Sequence, residues 1–310
     1  MNKLIGFVVT LGLIGGLYIG LGNVYKNEIY QGAINFEAGL SGLKERDADI
    51  SVGEIVYFEN AQRDKKPSVL LVHGFGANKE NWLRFARSFK DNYHVVAVDL
   101  PGHGKSVNSF DLNYSLENQV AWLHEFTQNI GLQSFHLAGN SMGGAISALY
   151  AVKYPEQVIS ATLIDPAGIH DFRSVMQDLI DQGDNPLVVE DTQGFNRLMN
   201  FALEQPPFVP WPITMVNAEH AKALKPLHNK LWKDMLQGQG DSFKPLLKQI
   251  RVPTLVQWGE QDRVINYKNI EVFKSLIPSV TTHVWPNVGH APMVEIPNKS
   301  AELMLSHIQD

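Results

Sequence analysis

The chain has 310 residues, 44% of them hydrophobic and 19% charged, a balance that supports a folded core and excludes a disordered chain. A net charge of −6 argues against nucleic acid as a partner. The absence of cysteine removes disulfides, a thiol nucleophile, thiolate metal sites and a cysteine-linked lipid from consideration.

From the N-terminus, residues 4–22 are almost wholly apolar, and no charge occurs from Leu4 to Tyr25. As a helix this stretch would extend roughly 28 Å, about the thickness of a hydrocarbon core. Lys3 and the amino terminus favour an amino-terminus-inside orientation. No small-x-small cleavage site follows Gly22, so residues 1–22 are expected to be an uncleaved membrane anchor with an extracytoplasmic (periplasmic) domain; the alternative is a cleaved signal and a secreted protein. Gly12, Gly16 and Gly20 share the four-residue spacing of a helix-pairing face, which leaves the oligomeric state open. Residues 23–48 are mixed and polar and are expected to be a linker, with the globular domain over residues 49–310.

In that domain residues 50–59 read as an opening strand or hairpin, and 68–73 as a buried strand running into His73-Gly74-Phe75-Gly76. A helix is expected over 82–89, a strand over 94–100, and an amphipathic helix over 116–130 capped by Ser115. A short strand, 134–138, precedes Gly139-Asn140-Ser141-Met142-Gly143, and an alanine-rich helix follows from Gly144 to Tyr154. Further strands are expected at 158–164, 253–259 and 281–285, with a closing helix over 298–308. Apolar strands alternating with helices indicate an α/β fold: a mostly parallel sheet with helices on both faces. The rhythm breaks over about 167–250, read as an inserted helical cap rich in aromatics and prolines.

Gly139–Gly143 fits G-x-S-x-G, a serine on a sharp strand-to-helix turn. The glycines are a steric requirement, because side chains beside the strained serine would collide across the turn. A serine needs a base, and the base needs an orienting acid. Two later strand ends supply them, Asp262 in Gly259-Glu260-Gln261-Asp262 and His290 in Val288-Gly289-His290. Ser141 is therefore the expected nucleophile, His290 the general base and acid, and Asp262 the orienting carboxylate. Asp165 and Glu260 are the rival acids; Asp165 sits beside Pro166, where a turn role suffices. The backbone N–H groups of Met142 and Phe75 are the expected oxyanion hole. His73 and His103 are read as structural. Phe201, Phe208, Trp211 and Met215 are cap candidates for substrate binding, able to line an apolar channel. No metal-ligand spacing and no dinucleotide fingerprint occurs, so no metal and no cofactor are expected.

These motifs, together with Asp99-Leu100-Pro101-Gly102-His103-Gly104-Lys105-Ser106 and Trp258-Gly259, resemble the α/β-hydrolase family over about residues 49–310. The stretches 139–147, Asn185-Pro186-Leu187 and Pro206-Pro207 are similar to bacterial family V lipases of the cold-adapted type. Asp165-Pro166-Ala167-Gly168 and the apolar N-terminus look like those of membrane-anchored monoacylglycerol lipases. The resemblance implies hydrolysis of carboxylic esters with lipid-like acyl groups, without a cofactor. The same serine supports C–C bond hydrolysis of diketones or cleavage of small soluble esters, and the fold can also serve a non-catalytic binding protein.

Overall fold

The computed structural model describes residues 20, 22–63, 65–236 and 243–309. Eight strands, β1 (Leu43–Ile50), β2 (Gly53–Asn60), β3 (Ser68–Val72), β4 (His94–Val98), β5 (Phe135–Asn140), β6 (Val158–Ile164), β7 (Thr254–Gly259) and β8 (Val280–Trp285), form one sheet. Their order is β1-β2-β4-β3-β5-β6-β7-β8. The β1–β2 and β2–β4 pairs are antiparallel; all pairs from β4 to β8 are parallel.

Strand side chains alternate between two cores. Leu70, Val72, Val96 and Leu137 face Leu116, Val120, Leu123 and Phe126 of the helix Leu116–Asn129. Val69, Leu71, Val95 and Ala97 face Phe85, Phe89, Ala301 and Met304 on the opposite side. Both faces are covered, which explains why the central strands read as continuous apolar runs rather than alternating ones. Ser115 caps the first of these helices by accepting from the Asn118 N–H. The helix expected over 82–89 is shorter: a 3-10 turn, Lys79–Trp82, followed by Leu83–Ala86. Its apolar residues Trp82, Phe85 and Phe89 are buried all the same.

Residues 23–48 are not a tether. They form a helix, Lys26–Leu40, and the edge strand β1, paired with β2 from Leu43↔Asn60 to Ile50↔Gly53. An edge strand needs no apolar alternation when ion pairs serve its charged side chains, and Glu45 bonds Lys105 and Lys79 while Arg46 bonds Glu59. The opening strand expected at 50–59 is thus the second arm of a hairpin. Among the described residues no helix is long and apolar enough to cross a membrane; of the expected anchor, only Gly20 and Gly22 are described.

Between β6 and β7 lie the helices Val175–Asp181, Thr192–Ala202, Ile213–Ala223, Lys225–Leu236 and Phe243–Leu247. The last sinks into the sheet's own core through Phe243 and Leu247. Ile213–Ala223 packs on the N-terminal helix: Lys26 pairs with Glu219, Tyr30 meets the edge of His220, and the Trp211 ring fills the place a side chain at Gly22 would take.

Candidate active site

Ser141 stands between β5 and the helix Met142–Lys153 at φ 56 and ψ −117. For a non-glycine residue this is strained, and the surroundings must enforce it. Its N–H donates to the Ile164 carbonyl, and its own carbonyl accepts from Ala145 and Ala167. The flanking glycines admit no side chain. A Cβ on Gly139 would lie 2.1 Å from the Gly143 carbonyl oxygen, and one on Gly143 would lie 2.3 Å from that of Val72. The helix therefore starts directly against the end of β3.

Asp262 and His290 come from the loops after β7 and β8. His290 Nδ1 lies 2.8 Å from Asp262 Oδ2, and both residues are buried. Four donors converge on this carboxylate. Oδ2 accepts from His290 and from Trp258 Nε1 at 3.0 Å; Oδ1 accepts from the Val264 and Ile265 amides at 2.8 and 2.9 Å. Ser141 and His290 line the same cavity. No hydrogen bond joins them among the described residues.

Two groups that the sequence reading missed hold His290 in place. Asn140 Nδ2 donates to the His290 carbonyl at 3.0 Å. Glu295 accepts from the Gly289 amide with Oε1, and from the amides of Glu204 and Gln205 with Oε2. Burial pushes the Glu295 carboxyl up against these donors. The His290 amide itself donates to the Ala202 carbonyl at 2.7 Å. Glu295 follows His290 by five residues, a spacing with no specificity.

Met142 is the first residue of its helix, so its N–H has no intrahelical acceptor. The loop after β3 passes beside Ser141: a Cβ on Gly74 would lie 3.1 Å from the Ser141 Cβ. The Phe75 ring packs on His103, His228 and Trp232. His73 is fully buried; its Nε2 accepts from the Leu100 amide, so Nδ1 carries the hydrogen donated to the Gly74 carbonyl. It is a neutral loop-former, and burial depresses its pKa. His103 is likewise buried and depressed by burial and by His73. Lys79, buried beneath the cavity, pairs with Asp99 at 2.7 Å.

The cavity measures about 1230 Å³ and is lined largely by apolar residues. The cap supplies Leu187, Phe195, Leu198, Met199, Ile213 and Leu224. Of the four cap candidates, Phe208 alone lines it, 85% exposed at the rim. Phe201 packs onto the main core and Trp211 faces Gly22; Met215 is absent from the lining. An aromatic in an amphipathic helix signals burial, not which surface it is buried against. One wall was wholly unexpected: Tyr30, Ile34 and Phe36 of the N-terminal helix line the cavity, and Tyr30 donates a hydrogen bond to Glu80.

Asp165, Asp262 and His290 each place a potential ligand atom within 4.8 Å of the others. Asp165 does not bond His290; its Oδ1 accepts the Gly259 amide. Glu260 is exposed.

A serine on a strained strand-to-helix turn, a buried carboxylate–imidazole pair after two later strands, and a crossing cap define a hydrolase architecture. The family model described as alpha/beta hydrolase fold matches residues 67–297, and the chain belongs to that family. Lipase 1 of Psychrobacter immobilis is 34% identical over 277 residues, covering 88% of this chain and 86% of that protein. A monoacylglycerol lipase of Xenopus laevis is 32% identical, covering 80% and 77% of the two chains. The crystal structure of a membrane phospholipase A, described as a bacterial virulence factor, superposes with a TM-score of 0.89 at 37% identity, covering 100% of this chain and 98% of the other.

Proposed function

We propose that the protein hydrolyses carboxylic esters of lipids through an acyl-enzyme on Ser141. The observation that carries this reading is Ser141 at φ 56 opening into a large apolar cavity shared with His290, itself bonded to Asp262 at 2.8 Å. Ser141 Oγ attacks the ester carbonyl while His290 Nε2 takes its proton. The Asp262 carboxylate holds Nδ1–H and stabilises the imidazolium. The N–H groups of Phe75 and Met142 receive the oxyanion. His290 then protonates the leaving alcohol, and water, activated by the same imidazole, releases the acid. Lipases among the relatives and an apolar cavity large enough for acyl chains both support a lipid substrate.

The finer reading places the enzyme at a membrane, anchored by residues 4–22 with the domain on the extracytoplasmic side. Its support is the apolar run itself and the row of exposed apolar side chains that continues it, Val24, Tyr25, Ile29 and Phe36. Fluorophosphonate labelling and a panel of p-nitrophenyl esters, acylglycerols, phospholipids and diketones test the chemistry. Ser141→Ala should abolish labelling and lower kcat by roughly 10⁶; retained esterase activity would refute the assignment. Mass spectrometry of the mature N-terminus distinguishes anchor from cleaved signal.

A further inference from the structure

Asp165 follows β6 as Asp262 follows β7, but its surroundings differ. It is completely buried and held at φ 45, a conformation costly for a non-glycine residue. Its amide donates to the Gln257 carbonyl at 3.0 Å. Its Oδ1 accepts the Gly259 amide at 2.9 Å, and Gly259 in turn accepts the Asp262 amide at 3.2 Å. Asp165 thus grips the loop that carries Asp262. Its other oxygen, Oδ2, is buried and has no donor among the described residues. Asp165 and Asp262 each bring a carboxylate oxygen within 4.8 Å of the other.

Two adjoining buried carboxylates do not both stay ionised unless a cation lies between them. A metal ion at this cluster would claim the His290 Nδ1 that Asp262 already holds at 2.8 Å, so a proton is the species that fits. The hydrogen bonds decide where it resides. Both oxygens of Asp262 already act as acceptors, toward His290, Trp258, Val264 and Ile265. Among the described residues Asp165 accepts from Gly259 alone.

We propose that Asp165 is a neutral carboxylic acid in the working enzyme, donating its Oδ2 proton to Asp262 and so acting as a positioning residue that holds Asp262 toward His290. Burial, with the negative charges of Asp262 and Glu295, keeps the Asp165 carboxyl well above the ordinary carboxylate range. Both charged neighbours are acids, and the third titratable group within reach, His290, is engaged with Asp262. One negative charge, not two, then faces the imidazole. The inference rests on the reading of Ser141, His290 and Asp262 given above.

The test uses the full-length protein. In Asp165→Asn the amide oxygen accepts from Gly259 and the amide nitrogen donates to Asp262, so the pattern survives without a titratable group. Its kcat/KM should stay within about threefold of wild type, with the acid limb of the pH profile unmoved. Asp165→Leu lacks the donor, and kcat should fall about 10–100-fold with KM little changed, the size of loss seen when an outer partner of a metal ligand is removed. In wild type carrying ¹³C at the aspartate carboxyl carbons, one resonance should keep the protonated shift through neutral pH; this needs no variant to fold. An Asp165→Asn profile whose acid limb moves to lower pH, or a set of carboxyl carbons that all titrate in the ordinary range, overturns the proposal. Fluorophosphonate labelling of Ser141 reports separately on the reading beneath it, because the carbon resonance is independent of whether the serine reacts.

Discussion

Replacing Asp262 by Asn should separate the carboxylate's charge from its shape. Apart from the proton proposed from Asp165, its two oxygens accept four hydrogen bonds, two each. An amide presents one accepting oxygen and one donating nitrogen. If the nitrogen takes the Oδ2 position it faces the hydrogens of His290 Nδ1 and Trp258 Nε1; if it takes the Oδ1 position it faces those of Val264 and Ile265. Either way two buried donors lose their acceptor, at about 1–3 kcal/mol each, so the loss is about 2–6 kcal/mol. One escape is for His290 to place its hydrogen on Nε2 and accept at Nδ1. That tautomer cannot take the Ser141 proton, and kcat should fall roughly 10⁴-fold. Steady-state hydrolysis of a p-nitrophenyl ester, with urea unfolding of the same preparation, measures both effects. An Asp262→Asn enzyme within tenfold of wild-type kcat would refute the reasoning, whatever its stability.

The glycine contacts predict opposite outcomes at two sites. Gly143→Ala pushes a Cβ to 2.3 Å from the Val72 carbonyl oxygen and should cost about 1–3 kcal/mol or more along with activity. Gly32→Ala, on a helix with nothing within 4 Å, should stabilise by about 0.5–1 kcal/mol; thermal unfolding of both variants checks this. Lys79→Met strands the buried Asp99 carboxylate, and chemical denaturation should show about 3–5 kcal/mol lost. His228 is held near pKa 4 by burial and by His73, below its unfolded value of about 6.5. The unfolded chain then binds the extra proton, so the stability from neutral His228 is present above pH about 6.5 and is lost as pH falls toward 4. His228→Gln should flatten the stability slope in that window by up to about 1.4 kcal/mol per pH unit; an unchanged slope in urea titrations at pH 5 and 7 would count against a neutral, buried His228.

The parts of this site legible in sequence are those where chemistry constrains position along the chain. Ser141, Asp262 and His290 each follow a strand, and a parallel sheet brings strand ends together at one edge. The Phe75 loop was legible for the same reason. The cavity lining was not. Phe201 and Leu198 share one helix, yet the first packs on the core and the second faces the cavity, a distinction set by how the helix is rotated on its neighbours. Strand β1 was hidden because Lys44, Glu45, Arg46 and Asp47 look like a solvated tether, and only tertiary partners such as Lys79 make them part of a sheet. The helix Lys26–Leu40 was hidden for a related reason: its partners Glu219 and His220 lie about two hundred residues away in sequence. Asp165 shows the converse. Its place after a strand made it a rival acid, and its hydrogen bonds distinguish it: Asp262 accepts from His290, whereas Asp165 accepts from the Gly259 amide.

Glu295 joins two things usually regarded as separable. One oxygen holds Gly289, next to His290, and the other holds Glu204 and Gln205, just after the cap helix Thr192–Ala202. The His290 amide is also bonded to Ala202. At this corner the roof of the cavity and the imidazole are a single mechanical piece, like a bolt passing through both door and frame. Lifting the cap here would drag the imidazole with it and disarm the enzyme.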